Sequence, residues 1–196
     1  MFDYMFDCFR KYIENKITLS ETDYQLIESV SIIKKLRKHQ FLLTEGDVCI
    51  FNSFVCTGFL RKYSVDDKGI EHNVYFATEN WWASDRQSLM DGTPSKYFIE
   101  AVEDSVVLLI SKSNFNIICD NIPAFKDMVN QILLRSLLAS QERINTTFQS
   151  TAIEKYTHFL NNFPNLANRV PRHILASYLG ITPETLSRIR KQISGK

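Results

Sequence analysis

Between Arg172 and Gln192 the residues fall in an order that few folds accommodate. Residues 172–179 read as one helix, Gly180-Ile181-Thr182 as a turn and residues 183–192 as a second helix. Gly180 takes the left-handed conformation that ends a helix without steric cost. Thr182 is a good N-cap, and Pro183 at the first helical position has no amide hydrogen to leave unpaired. Ala176 is small where the two helices must approach, and Leu175, Leu179, Ile181, Leu186 and Ile189 supply the apolar contacts that fix their angle. These positions all fall where a helix-turn-helix needs them.

That motif implies duplex DNA as a partner. The outward face of the second helix carries Glu184, Thr185, Arg188 and Lys191, with Ser187 toward one edge. Glu184, near the helix start, is placed to accept a hydrogen bond from a cytosine amino group, and Arg188 to read guanine or grip phosphate. The competing reading of Glu184 is that it complements the positive end of the helix. Arg190 and Lys191 read as phosphate contacts, which position a protein without reading sequence. Thr182 and Arg172 are further backbone candidates. Charge supports this end as the polyanion-binding one. Residues 150–196 hold seven basic residues against Glu154 and Glu184, a net +5, while the rest of the chain holds 16 basic and 20 acidic groups, a net −4.

Upstream, the texture changes twice. Phe6, Phe9, Ile13 and Ile17 recur at helical spacing over residues 2–17, and Ser20 reads as the N-cap of a short helix over 21–30. From about Ile32 to Ile110, short β-branched and aromatic segments alternate with turns. The strands are expected at 41–44, 52–57, 58–63, 72–77, 97–102 and 105–110, with a hairpin turn at Asp66-Asp67-Lys68-Gly69. That spacing predicts an antiparallel sandwich or barrel-like roll. Helix returns after Ser111: Ser113 is expected to cap a short helix through Cys119, and Pro123 to start a long one over 124–148. Phe125, Met128, Val129, Ile132, Leu133, Leu137 and Ala139 make its apolar seam, and Leu134 and Leu138 widen the stripe beyond what one-sided packing requires. The stripe fits a helix packed across its own domain or, the favoured reading, one shared with a second subunit. A palindromic DNA site calls for a symmetric homodimer. A further helix over 151–161 ends at Asn162-Phe163-Pro164-Asn165.

Composition excludes several classes. A 44% hydrophobic and 23% charged chain is ordinary for a globular protein. No apolar run approaches the roughly 20 residues that span a bilayer, and the acidic start at Asp3 and Asp7 is unlike a signal peptide. The expected location is the cytoplasm, with no membrane partner. Cys8, Cys49, Cys56 and Cys119 are scattered without zinc-knuckle spacing and read as buried or unremarkable thiols. His39, His72, His158 and His173 are too few in the roll to make a cupin-type metal site. No nucleophile–base arrangement is visible, so no catalytic or metal-ligating residues are assigned and the chain is not read as an enzyme.

These features together resemble the Crp/Fnr superfamily of bacterial transcription regulators. The resemblance is carried by Glu45-Gly46-Asp47, by residues 54–58 with Arg61-Lys62-Tyr63, by Asp67-Lys68-Gly69, by the long helix, and by the run from Leu175 to Ile189. It implies an α+β fold: an N-terminal antiparallel β-roll, cupin-like and of the cyclic-nucleotide-binding type, a dimerisation helix, and a C-terminal helix-turn-helix in a winged helix. The expected division is 1–121 for the sensor-like part, 122–148 for the dimerisation helix and 149–196 for DNA binding. RNA polymerase is a further candidate partner.

The departures from the family pattern matter equally. Cyclic-nucleotide binders hold ribose and phosphate with a Gly-Glu pair and an Arg-Ser/Thr-Ala run; here these fall at about Ala83-Ser84 and Ser95-Lys96-Tyr97. The glutamate and the arginine are both missing, and Lys96, one position off, offers charge without a bidentate fork. No cofactor is therefore expected. Cys8 alone cannot supply an iron–sulfur cluster, and a lone strand histidine such as His72 is usually structural. The equivalent segment, Trp81 to Ser88, reads in two ways. Trp81, Trp82, Ser84, Asp85 and Ser88, with Lys96 and Tyr97, line a site for another small ligand, or the tryptophans fill the nucleotide's place and leave a roll that senses nothing. Pro183 stands where the recognition helix usually has an arginine, so the DNA site is expected to differ. The sequence ends at Lys196, so the final wing is expected to be minimal or absent. The alternative function is a small-ligand signalling module without direct DNA binding.

Overall fold

The structure, a computed structural model, describes residues 2–194; Met1, Gly195 and Lys196, with the expected wing position at the chain end, lie outside the described residues. Two helices open the chain. α1 (Phe2–Glu14) buries Phe6, Phe9 and Ile13 on one face, and α2 (Glu21–Ser29) begins at a reciprocal capping box between Ser20 and Asp23. α1 stops three residues before the expected Ile17.

Among the described residues seven strands follow: β1 (Ser31–Leu36), β2 (Phe41–Leu43), β3 (Phe51–Thr57), β4 (Leu60–Val65), β5 (Glu71–Ala77), β6 (Phe98–Ala101) and β7 (Ser105–Ser111). They form two antiparallel sheets, ordered β1-β7-β3 and β2-β6-β4-β5. The roll expected from the strand spacing is therefore present. Leu36, Val55, Leu60, Ile99, Val107 and Leu109 fill its interior. The other face of the three-stranded sheet sends Phe54, Leu108 and Ile110 into a second core shared with α1, α2, α4 (Lys112–Asn121) and Phe125 and Met128 of α5 (Pro123–Gln149). The cap of α4 is Ser111, not Ser113: its hydroxyl accepts from the Asn114 amide. A short helix, α3 (Arg86–Asp91), has no counterpart in the strand pattern.

Chain contacts divide the molecule into two compact units. The first comprises residues 1–64 and 74–132, which is the roll with its flanking helices. The second comprises residues 133–196 together with residues 65–73, the tip of the β4–β5 hairpin. In that tip the Asp66 carboxylate accepts from the Lys68 and Ile70 amides, at 2.9 Å each, and closes the turn expected at 66–69.

The second unit contains the rest of α5 and three further helices: α6 (Ala152–Asn162), α7 (Arg172–Leu179) and α8 (Pro183–Ser194). A Thr151–Glu154 capping box starts α6. Tyr156, Phe159, Leu166, Val170, Leu175, Leu186 and Ile189 are buried among these helices. The apolar positions of α5 change face along its length. Phe125, Met128, Val129 and Ile132 pack into the first unit's core, whereas Leu134, Leu137, Leu138, Ile144 and Phe148 are exposed.

Candidate DNA-binding surface

α7 ends at Gly180, whose φ of +66° is the left-handed conformation the turn requires. The Ile181 amide then reaches back to the Ala176 carbonyl at 3.0 Å. Thr182 caps α8: its hydroxyl accepts from the Thr185 amide at 3.2 Å, and the Leu186 amide closes onto the Thr182 carbonyl. Ala176, Leu175, Leu179, Leu186 and Ile189 are buried between the helices. The helix-turn-helix spans the residues expected for it.

Burial of Leu186 and Ile189 decides which way the rest of α8 faces. Glu184, Arg188 and Lys191, spaced by four and three, form one exposed row. Thr182 is exposed and Thr185 half-buried, and the Arg188 guanidinium donates to the Thr185 hydroxyl at 3.2 Å. Hydrogen bonds from its own amide and from Thr182 hold the Glu184 carboxyl below the usual range, with Arg188 adding to the effect. It is thus a charged acceptor at the helix start. Ser187 is half-buried and donates to the Pro183 carbonyl at 2.8 Å, within its own helix.

Arg190 corrects the sequence reading. Its guanidinium donates to the Ala167 carbonyl at 3.2 Å and lies 5.7 Å from the Tyr156 ring centre. It ties the module together from within instead of facing outward with Lys191. A helical wheel hints at this, because residue 190 follows the buried Ile189. Arg172 begins α7 and is exposed.

The segment expected to line a ligand site behaves differently from both readings of it. Residues 80–84 run beside β3, joined by the Val55 amide to the Trp81 carbonyl and the Ala83 amide to the Ser53 carbonyl. Trp82 points into the helical core, edge-on to Phe9, Phe54 and Phe115 at 5.3–5.7 Å. Trp81 is partly exposed beside Tyr75. Neither tryptophan fills the roll. The polar residues are engaged internally. Ser84 accepts from the Ser53 amide and donates to the Phe51 carbonyl. Asp85 accepts from the Ser95 hydroxyl at 2.8 Å, and Ser88 links the Cys49 amide to the Thr93 carbonyl. Lys96 is exposed and Tyr97 half-buried.

Sequence reasoning overlooked Lys62. Its ammonium lies 4.9 Å from the Tyr97 ring and 5.9 Å from the Tyr75 ring. The gap bordered by Lys62, Tyr75, Ala83, Ser84 and Ile99 is too small to admit a water molecule. Inward placement of Lys62 follows from the alternation of β4, since Leu60 is interior and Arg61 pairs with Glu100 on the other face. His72 bonds the Asp66 carboxylate at 2.9 Å, and among the described residues no group of His, Cys, Asp or Glu is arranged to hold a metal.

Residues 33–121 match the family described as the cyclic nucleotide-binding domain. Over nearly the whole chain the sequence is also similar to known regulators. It is 23% identical to the fumarate and nitrate reduction regulatory protein of Vibrio cholerae, covering 93% of this chain and 77% of that one. It is 24% identical to regulatory protein HlyX of Actinobacillus pleuropneumoniae, covering 91% and 79%. Among solved structures, FixK2 from Bradyrhizobium japonicum superimposes with a TM-score of 0.74 at 21% identity, covering 85% of each chain. In sequence and in fold the chain is similar to transcription regulators of the Crp/Fnr type. The fold is also shared with the c-di-GMP responsive global regulator CLP of Xanthomonas campestris, with a TM-score of 0.72 at 12% identity, covering 90% of this chain and 92% of that one. The named relatives are regulators, not enzymes. Among the described residues, no helix is long and apolar enough to cross a membrane.

Proposed function

We propose that the chain binds duplex DNA as a homodimer, with α8 in the major groove and the Glu184–Arg188–Lys191 row facing the bases and backbone. The exposed row on a helix whose opposite side is locked by Leu186 and Ile189 carries this reading. Glu184 accepts from a cytosine amino group, Arg188 donates to guanine or phosphate, and Lys191 grips phosphate. The exposed apolar stripe of α5 supports dimerisation: Leu134, Leu137, Leu138, Ile144 and Phe148 recur at spacings of three, four and seven along one side. Two copies joined there present two recognition helices to a palindromic site.

The roll does not take a cyclic nucleotide. No arginine or glutamate stands at the family's phosphate and ribose positions, Ser84, Asp85 and Ser88 are committed to internal bonds, and the gap beside Lys62 has no room for a base and ribose. Selection of bound sequences from random duplex DNA tests the proposal. The expected product is a two-fold symmetric site that Arg188→Ala no longer selects; enrichment of no sequence, or of the same one by the variant, overturns it. Titration with cyclic AMP is expected to leave both the melting temperature and the DNA affinity unchanged.

A further inference from the structure

Cys8 and Cys56, 48 residues apart in sequence, meet where α1 lies on β3. The Cys8 thiol donates to the Cys56 carbonyl at 3.4 Å. β3 shifts register between Val55 and Thr57, so Cys56 sits at a bulge, a device that re-aims a side chain and loosens the local ladder. Beside the pair opens a cleft of about 570 Å3, lined by Cys8, Lys11, Tyr12, Lys16, Asn80 and Cys56. The cleft is partly polar and carries two lysines, and Cys8 is half-exposed within it. A thiol that already bonds its partner's main chain needs side-chain rotation to bring the sulfurs to the bonding distance of about 2.05 Å.

We propose that Cys8 and Cys56 are a reversible thiol–disulfide pair that responds to peroxide-class oxidants and clamps α1 to β3. The two sulfurs are unequal in the way this chemistry needs. The hydrogen bond from Cys56 holds the Cys8 thiol below its ordinary value against the opposing effects of burial and Glu79, and Lys11 acts in the same direction. That bond and burial push Cys56 up. Cys8 is therefore the attacking thiolate and Cys56 the resolving thiol. The Cys8 sulfur attacks one peroxide oxygen, the O–O bond breaks and hydroxide leaves, giving a sulfenic acid. The Cys56 sulfur then attacks the Cys8 sulfur. An S–S bond forms, the S–O bond breaks, and the departing hydroxide leaves as water with the Cys56 proton. Two thiols and one hydrogen peroxide give one disulfide and two waters; two electrons pass from the thiols to the peroxide.

The other cysteines provide an internal control. Cys49 is buried, its thiol turned to the Phe51 carbonyl and pushed up by burial. Cys119 is half-buried like Cys8, yet burial and Asp120 push its thiol up. Similar access with the opposite direction of shift predicts different reactivity.

The test uses the full reduced chain, treated with about one equivalent of hydrogen peroxide per chain, alkylated and digested without reductant. The expected result is loss of two of the four thiols, a Cys8–Cys56 peptide pair lighter by two hydrogens, and recovery of both thiols in dithiothreitol. Cys56→Ser is expected to stop at a Cys8 sulfenic acid that dimedone traps. Cys8→Ser is expected to leave Cys56 reduced. Retention of all four thiols, a crosslink through Cys49 or Cys119, or irreversible oxidation of Cys8 beside a free Cys56 in the unaltered chain would each overturn the proposal.

Discussion

The hydroxyl of Ser177 on α7 donates to the Glu71 carbonyl at 2.7 Å and, at the same oxygen, accepts from the Asn73 amide at 3.1 Å. One side chain thus satisfies two main-chain groups of the hairpin tip. Asn73 is buried, and its carbonyl takes a further bond from Arg143, whose guanidinium also stacks 4.2 Å from the Tyr178 ring. Ser177→Ala strands the Asn73 amide away from water, which costs about 1–2 kcal/mol. A urea titration of the purified variant is expected to show that loss as a lower midpoint. An unchanged midpoint would mean that the hydroxyl contributes nothing to the second unit.

The three cations at the end of α8 are expected to separate by function. Arg188→Ala should cost about 1–3 kcal/mol at the base it reads and relax the preference there. Lys191→Ala should weaken binding to all sequences alike and reduce the salt slope of log affinity by about 1. Arg190→Ala should leave the salt slope intact and lower thermal stability instead, because its guanidinium serves Ala167 and Tyr156. Fluorescence anisotropy over a salt series, beside thermal melts, checks all three. A lower salt slope for Arg190→Ala would return that residue to the DNA surface.

How much of this could be read from the residues depends on the range of the interaction. Caps and turns are local, so Ser20, Gly180 and Thr182 declared their helix ends and the Asp66 turn its hairpin. Strand alternation gave the roll but not its contents. Trp82 lies in the helical core because residues 80–84 pair with β3, a long-range contact that no local pattern encodes. Lys62 is turned inward between two tyrosines by the register of β4. Cys8 and Cys56 look scattered for the same reason, being joined only by the packing of α1 on β3. Arg190 was misread because a basic residue in a recognition helix invites a phosphate assignment, whereas its neighbour Ile189 fixes its direction.

A buried ion pair gives the first unit a definite acid response. Arg61 donates through Nε and Nη2 to Glu100 at 2.9 and 2.6 Å, and His39 bonds the other carboxylate oxygen at 2.7 Å. Burial pushes the Glu100 carboxyl up, but the bonds from His39 and Arg61 outweigh it and hold the group below its ordinary 4.5. A depressed carboxyl contributes its stability in full above the ordinary value and loses it as pH falls through the lower folded one. Glu100→Gln is therefore expected to flatten the fall in stability below about pH 4.5. Arg61→Met leaves the buried carboxylate with its His39 bond alone and should cost about 3–5 kcal/mol at neutral pH. That cost should shrink in acid, where Glu100 takes up a proton. Denaturation curves across pH 3–7, an interval set by the ordinary carboxylate range, read both effects. A constant cost for Arg61→Met across that range would show that the charge on Glu100 is immaterial.

Dimerisation has its own test in α5. Leu134, Leu137 and Leu138 are 56–58% exposed, and Phe148 is 84% exposed. None of them takes part in the core that Phe125 and Met128 build on the helix's other side. Charged residues in place of Leu137 and Ile144, seven residues apart on the stripe, should leave the fold of one chain intact while repelling a second copy. Sedimentation of Leu137→Glu/Ile144→Lys at micromolar concentration is expected to give the mass of one chain, against twice that for the unaltered protein. DNA binding should fall with it, because a monomer presents one recognition helix where a palindromic site offers two half-sites. Affinity for an isolated half-site should survive, which separates loss of the dimer from damage to α8. An unaltered protein that sediments as a single chain would remove the dimer from the proposal and leave the exposed row on α8 standing.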